Sequence, residues 1–361
     1  MAVLQDRSTG PRVHQRVDRL AAYGWRFLVI AAAAVLVLWL ARQLASVLIP
    51  ATVALFLTRI LTPISDRLRG RLRPGFAAAI ALVALLGGIV ALAFLIVPPI
   101  ADEAESLPET ISEALDDIEV WLVEESPIDV SRGAIDRLRD RGAERFEGLL
   151  RASGGRVVDG ATLAAEIVAG LFLSILFTFF MLRDGPRFAN WALSRLRPSQ
   201  RERARRAAER GWATLGGYVR GAATLGIVES IVIGLTLLLA GGSLVVPVMV
   251  LTFIAAFIPI IGAVVAGVTA VLVALVTGGV ASAVIVGLVA LAVQQLDNDI
   301  LAPWVYGRSL ALHPVVILVS VVAGGALFGI SGTLLAVPVV AVVVSVGKEL
   351  ASVPRDTEAG G

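Results

Sequence analysis

Long apolar runs divide this chain and constrain its fold more than any other feature. Most of them reach about the 18 residues that a helix needs to cross a bilayer. Of 361 residues, 57% are hydrophobic and 17% are charged, whereas about 25% of the residues in a soluble domain are charged. The sequence predicts an all-α polytopic membrane protein. About eight transmembrane helices are predicted, at 27–41, 44–61, 76–97, 162–182, 222–240, 244–276, 280–296 and 315–346.

Local signals predict where these helices end or break. The runs 27–41 and 44–61 are expected to form a tight hairpin around Arg42, and the run 76–97 is expected to end at Pro98. The runs 244–276 and 315–346 are too long for one straight span each. We therefore expect broken helices in the C-terminal half.

The placement of arginine predicts the orientation. Segments 1–26, 63–75 and 183–210 hold five, four and nine arginines, which places them in the cytoplasm by the positive-inside rule. Residues 102–129 hold eleven carboxylates and belong to a small helical soluble insert that is expected outside. Ser106 and Glu109 there have the spacing of a helix capping box.

The predicted organisation has seven segments. They are a cytoplasmic tail at 1–26, transmembrane helices 1–3 at 27–97, the extracytoplasmic insert at 98–160, helix 4 at 161–182, a basic cytoplasmic amphipathic segment at 183–215, helices 5–8 at 216–346 and a cytoplasmic tail at 347–361.

A dense polar cluster interrupts the apolar C-terminal half. Ionisable groups at membrane depth usually face a bundle interior or a watery cavity, where they mark a substrate or ion path. The alternative is that the cluster caps a helix end at the membrane surface. Its members are Gln294, Gln295, Asp297, Asn298 and Asp299.

Glu229 lies near the middle of the run 222–240. A carboxyl group there must be protonated, paired or facing a cavity. It is either a proton-coupling group or half of a buried ion pair. Arg220 opens the same run and is a candidate partner, although it can also extend to the membrane surface.

Two helix breaks are further candidates for the pathway. Transporters often place binding sites where spanning helices break, because the unwound backbone offers free polar groups. The first break contains Pro259 and Gly262, and the second contains Gly329, Ser331 and Gly332. The alternative for both is a packing kink without a ligand.

The sequence lacks the residues that several classes of functional site require. The chain has no cysteine and two histidines, so thiolate metal sites and a zinc site of ordinary composition are excluded. It has neither a P-loop nor a hydrolase motif. We expect no cofactor, no metal and no enzymatic activity.

The basic segment at 183–215 contains Trp191 and apolar residues, which indicates contact with membrane lipids and not with nucleic acid.

Five motifs occur in a fixed order, and together they resemble the autoinducer-2 exporter (AI-2E) family of permeases over nearly the whole chain. The resemblance implies an eight-span, oligomeric secondary transporter. Family members are associated with export of the furanone signal autoinducer-2, and some with exchange of sodium or lithium for protons. The motifs are GYVRG at 217–221, FIPIIG at 257–262, QQLDNDILAPWVYG at 294–307, LHP at 312–314 and LFGISGTLLAVP at 327–338.

Three functions remain open. The first is a permease of the inner or plasma membrane that exports a small polar solute, such as a signal resembling autoinducer-2. The second is a sodium or lithium/proton antiporter that uses Glu229, Asp297 or Asp299. The third is a homo-oligomeric scaffold or channel-like assembly, because Gly217, Gly221 and neighbouring glycines permit close helix packing.

Overall fold

Helices account for all regular elements in the part of the chain that the computed structural model describes, which is residues 15–120, 157–301 and 312–352. The chain forms two compact units, Met1–Leu48 and Ile49–Gly361. The helices are α1 Gln15–Gln43, α2 Ala45–Arg69, α3 Pro74–Val120, α4 Val157–Ser194, α5 Pro198–Leu239, α6 Val245–Ala255, α7 Ile261–Leu296, the π-helix Asp297–Leu301 and α8 Pro314–Ala351.

The helices have the length and composition of membrane spans. Within the described ranges, seven are long and apolar enough to cross a membrane. Large apolar side chains also cover much of their outer surface, such as Leu239 and Ile330, which are each 86% exposed. Helices satisfy their own backbone polar groups, as hydrocarbon requires. The prediction of an all-α polytopic membrane protein is therefore confirmed.

The tight turn expected around Arg42 is not formed. The Leu44 amide donates to the Leu40 carbonyl over 3.0 Å, and the Leu48 amide donates to the Leu44 carbonyl over 2.9 Å. Residues 40–48 therefore keep helical hydrogen bonding through the predicted turn. The reason is local, because residues 41–44 are Ala, Arg, Gln and Leu, which are all strong helix formers.

The third helix also continues beyond its expected end. Helix α3 runs through Pro98 and Pro99 as far as Val120. Proline removes a backbone donor, but its fixed φ of about −65° is itself helical. Because Ser106 lies inside this helix, it is not the N-cap that the capping box predicted. Residues 121–156 of the expected insert lie outside the described part of the chain.

Helix α6 is too short to cross a membrane. It has 11 residues, or about 16 Å, against a hydrocarbon core of about 30 Å. The Ser243 amide before it donates to Thr277 Oγ1 in α7 over 3.0 Å, although 34 positions separate the two residues. The chain therefore reverses in the break at 256–260. The break expected at Pro259 is present, but it reverses the chain instead of kinking one span.

Helix α7 folds back at Gly279, which has φ 77° and ψ −176°. Ala266 and Gln294 lie in its two arms and line one cavity. They are roughly 28 positions apart, or about 42 Å along a straight helix. The second arm corresponds to the helix predicted at 280–296.

Helix α8 folds back at Gly329, which has φ 64° and ψ −146°. A Cβ atom on Gly324 would lie 2.8 Å from Ala336 Cβ, roughly 12 positions along the chain, or about 18 Å in a straight helix. Gly332 lies against the Gly324 backbone so closely that no side chain fits. The break predicted at Gly329 is therefore confirmed.

Helix α5 joins the buried parts of the second unit. It packs on α6 and α7 through Leu237, Val248 and Ala274, and on α8 through Tyr218 and Val337. A separate apolar cluster joins α2, α3 and α4. The side chains of α5 therefore lie between several partner helices.

Candidate functional site

Helix α5 presents Glu229 and Arg220 on opposite faces. Nine positions separate them, which is about two and a half turns of a helix. Glu229 is half-buried, whereas Arg220 is exposed. Among the described residues, neither forms a salt bridge. The alternative of a buried Arg220–Glu229 ion pair is therefore wrong.

The partner of Glu229 is instead a second carboxyl group. Asp297 is the first residue of the π-helix and is 5% exposed. Its side chain is close enough to Glu229 for the two carboxyl groups to interact electrostatically. Neither Oδ atom of Asp297 has a hydrogen-bond partner in the described part of the chain. Short π-helical segments are frequent at functional sites.

A small cavity of about 30 Å³ adjoins this carboxyl pair on the Glu229 side. Its wall is formed by α5, by α6 and by both arms of α7, so the fold-back at Gly279 is needed to close it. Glu229, Thr252 and Gln294 are its polar lining residues. The apolar lining residues are Ile233, Ala263, Ala266, Gly267, Ala290 and Val293.

The polar groups of this site can bind a proton or a small cation. Two carboxylates at close range in a poorly hydrated site repel each other, which favours a shared proton or a bound cation. The Gln294 amide and the Thr252 hydroxyl are nearby sources of oxygen ligands. No group of three or more His, Asp or Glu side chains gathers anywhere among the described residues. The site is therefore a two-carboxyl site.

The remaining residues of the polar cluster do not all face the cavity. Gln294 and Asp297 are three positions apart and share the inner face, as helical geometry requires. Gln295 and Asp299 are exposed. Asn298 lies in the π-helix between Asp297 and Asp299.

The helix break at 257–262 lies next to the cavity and is bonded to α5. The Tyr218 hydroxyl donates to the Phe257 carbonyl over 2.7 Å, and Tyr218 is 1% exposed. Gly262 lies against the Ala255 carbonyl so closely that any side chain would collide with it. Pro259 and Gly262 are not lining residues themselves, but Ala263 is.

The backbone of this break is strained. Ile260 has φ 71° and ψ −62°, and the Ile261 amide donates to the Pro259 carbonyl over 2.9 Å. This is a γ-turn of the rare kind with positive φ. A β-branched residue seldom adopts it, and such strain clusters at functional sites.

The break in α8 is not part of the cavity. Gly329, Ser331 and Gly332 lie at or next to the fold-back of α8, and none of them is among the lining residues in the described chain. Gly332 provides close contact between the two arms. At Gly332 the observed role is therefore helix packing.

Sequence patterns did not identify two contributors to this site. Thr252 is 3% exposed and lines the cavity, and it is a rare polar residue inside an apolar run. Tyr218 is easier to recognise from the sequence, because a tyrosine in an apolar helix buries its ring and needs a hydrogen-bond partner for its hydroxyl group. The partner itself, the Phe257 carbonyl, follows only from the tertiary structure.

Comparison with known proteins matches these features to one family. Residues 28–352 match the model of the AI-2E family transporter. Three bacterial relatives carry the name "Putative transport protein". MT0215 of Mycobacterium tuberculosis (strain CDC 1551 / Oshkosh) is 34% identical over 350 residues, which cover 94% of this chain and 92% of that protein.

The other two relatives are from Bacillus subtilis (strain 168). YrrI is 27% identical over 308 residues, covering 82% of this chain and 84% of that protein. YueF is 32% identical over 165 residues, covering 46% and 44%. The family model and the first relative span nearly all of this chain, and its predicted resemblance is confirmed. This chain belongs to the AI-2E family of transporters.

Proposed function

We propose that this chain is an ion-coupled secondary transporter in which Glu229 and Asp297 bind a proton and a small cation in turn. The observation that carries this proposal is the buried pair itself. Asp297 is 5% exposed, and its oxygens face another carboxyl group with no described cationic partner. Such a pair is costly in a purely structural role, because a buried charge without a partner is unfavourable.

The surrounding elements supply what an exchange site requires. The pair joins α5 to the end of α7, and the adjacent cavity is bounded by the short helix α6. Transporters of several folds place coupling ions beside such interrupted helices. A change in the break at 257–262 would move Ala263 and with it the wall of the cavity. The proposed path therefore includes Glu229, Gln294 and Asp297.

The test is a proton-exchange assay in proteoliposomes with the full-length protein and a pH-sensitive dye. Addition of sodium or lithium to acid-loaded vesicles should release protons in the wild type. Glu229→Gln and Asp297→Asn should each reduce the initial rate by about 10²-fold or more, because each removes a group that must bind both ions. The control is Asp299→Asn, since Asp299 is exposed and lies two positions from Asp297.

The Asp299→Asn rate should stay within about twofold of the wild type. Equal loss in all three variants would point to a general effect of charge in this segment. No proton release from wild-type protein between pH 6 and 9, with either cation, would contradict the exchange.

Export of a small polar solute is a second candidate. The family to which the chain belongs and the side chains of Gln294 and Thr252 beside the cavity favour it. In that case the carboxyl pair would couple proton entry to solute exit. Efflux of a labelled furanone from cells should then fall in Glu229→Gln. Efflux that is unchanged in Glu229→Gln and in Asp297→Asn would exclude the pair from that path.

The proposed setting is the cell membrane, with both ends of the chain in the cytoplasm. The charge distribution supports it, because the arginine-rich start of α5 and the end of α8 lie together. Arg206 pairs with Glu349 over 3.5 Å, and Thr214 and Ser345 hydroxyls are 2.8 Å apart. A homo-oligomer is part of the proposal, because the resemblance to the family implies an oligomeric permease.

A further inference from the structure

A second polar cluster lies on the other face of α5, where Arg59 extends from α2. The Arg59 guanidinium packs against Gly216, one helical turn before Arg220, and the charge of Arg220 acts on it. Two cations at short range repel each other, and the repulsion is stronger where water is scarce. Helices α2 and α5 therefore hold a concentrated positive charge between them.

Contacts with α5 hold the Arg59 side chain in place. Its guanidinium lies over the Trp212 ring, 5.4 Å from the ring centroid, at a distance typical of a cation–π interaction. Gly216 provides the space, because a Cβ atom at this position would collide with the guanidinium. Trp212 and Gly216 are one turn apart on α5. The side chain is therefore held in place and does not extend freely.

The positive charge lacks a carboxylate partner. Arg59 Nε is buried and has no hydrogen-bond acceptor among the described residues. Asp66, the acid that follows Arg59 on α2, pairs with Arg69 over 3.5 Å. No described acid forms a salt bridge with Arg59 or Arg220. A buried guanidinium donor without an acceptor is costly.

We propose that Arg59 and Arg220 form a binding site for a phosphate group, with Trp212 as its fixed wall. The planar guanidinium fork matches the oxygens of phosphate. A bound phosphate would place a negative charge between the two cations. The phosphate can belong to a lipid headgroup or to a soluble phosphate-bearing solute.

This site is separate from the carboxyl pair. Arg220 and Glu229 lie on opposite faces of α5 and about 13 Å apart along its axis. Loss of the phosphate site therefore leaves the residues of the proposed exchange intact. The two proposals can fail independently.

The first experiment measures inorganic phosphate binding to delipidated full-length protein in detergent, at constant ionic strength with chloride as the balancing anion. Phosphate should raise the Tm of the wild type in a saturable way. Arg59→Gln and Arg220→Gln should weaken the apparent affinity at least about tenfold, since each removes a charge-assisted hydrogen bond. Arg187→Gln is the matched control, because Arg187 already pairs with Asp184 over 3.3 Å.

The second experiment identifies the source of the phosphate. Protein purified from nanodiscs of phosphatidylcholine with phosphatidylglycerol is examined by native mass spectrometry. Retention of one phosphatidylglycerol by the wild type and by Arg187→Gln, with its loss in Arg59→Gln, assigns the site to a lipid headgroup. A Tm response to phosphate without a retained lipid assigns it to a soluble solute.

Arg59→Lys is the control for misfolding of the glutamine variants, because it keeps the positive charge and removes only the planar guanidinium group. It should elute as a single species in size exclusion and bind phosphate more weakly than the wild type. The proposal is overturned if wild-type protein shows neither a phosphate response nor a retained lipid. It is also overturned if both glutamine variants retain the full wild-type response.

Discussion

At the scale of single residues, the charged side chains beside α5 form two clusters of like charge. Glu229 and Asp297 face each other across two helices, whereas Arg59 and Arg220 meet on a different face of α5. The pairing is therefore acid with acid and base with base. Like charges at short range are costly, and binding of an external ion offsets that cost.

Tyr218 gives a prediction at this scale. Tyr218→Phe removes the donor to the Phe257 carbonyl, 2.7 Å away, and should lower the free energy of unfolding by about 1–3 kcal/mol. The Tm in detergent measures the change. Tyr23→Phe is the control, because Tyr23 is 67% exposed and its substitution should change stability by less than about 0.5 kcal/mol. Equal Tm values for the two variants would rule out a stabilising role for the hydrogen bond.

At the scale of elements, the C-terminal half is built from helices that reverse direction. Helix α7 folds back at Gly279 and α8 at Gly329, and both glycines have positive φ. Helix α6 and the first arm of α7 form a further reversal at the strained break near Ile260. Chain reversals in a membrane leave polar backbone groups exposed unless protein covers them.

The fold-back of α8 gives a prediction for a matched pair of glycines. Gly329→Ala should destabilise the protein by about 1–3 kcal/mol, because φ 64° with ψ −146° is a conformation reserved almost entirely for glycine. Gly347 lies in the helical part of α8 with open space around its Cα. Gly347→Ala should be neutral or stabilising by up to about 1 kcal/mol. Thermal unfolding of both variants would show whether the cost belongs to the backbone conformation.

Local sequence signals predicted the break points but not the path between them. Pro259 and Gly329 mark real interruptions, since proline lacks a donor and glycine adopts positive φ. The reversal of α6 depends on the contact between Ser243 and Thr277, 34 positions apart, which no local pattern contains. Pro98 misled the prediction of a helix end, because the φ of proline is itself helical.

The same limit applies to the site. Glu229 and Asp297 each stood out as carboxyl groups in apolar surroundings, but the sequence did not show that they face each other. The spacing of nine positions between Arg220 and Glu229 already indicates that the two side chains lie on opposite faces of a helix. Thr252 and Arg59 were not found, since their roles depend on packing between helices that are distant in sequence.

At the scale of the whole molecule, the apolar runs of the sequence do not correspond one to one to straight helices. Helix α6 is too short to cross a membrane, and α7 and α8 each fold back on themselves. The ion pair between Arg206 and Glu349 keeps the end of α8 beside the start of α5.

A cross-linking experiment tests this path directly, because the chain has no cysteine of its own. Ser243→Cys combined with Thr277→Cys should form a disulfide under mild oxidation, since the two residues are hydrogen-bonded. Mass spectrometry should show the loss of both maleimide-reactive thiols. The control pair Ser243→Cys and Ala256→Cys lies at opposite ends of α6, about 18 Å apart, and should keep both thiols. Two free thiols in the first pair would contradict the reversal.

The position of Arg220 and Glu229 on opposite faces of one unbroken helix has a thermodynamic consequence. A rigid rotation of α5 that carries Glu229 away from Asp297 carries Arg220 the opposite way. A ligand bound on one face of α5 then favours one rotational position of the helix, and that position sets how strongly the other face binds its own ligand. Linkage makes such an effect reciprocal: if an anion at the arginines changes the proton affinity of the acids by some factor, protonation of the acids changes the affinity for that anion by the same factor.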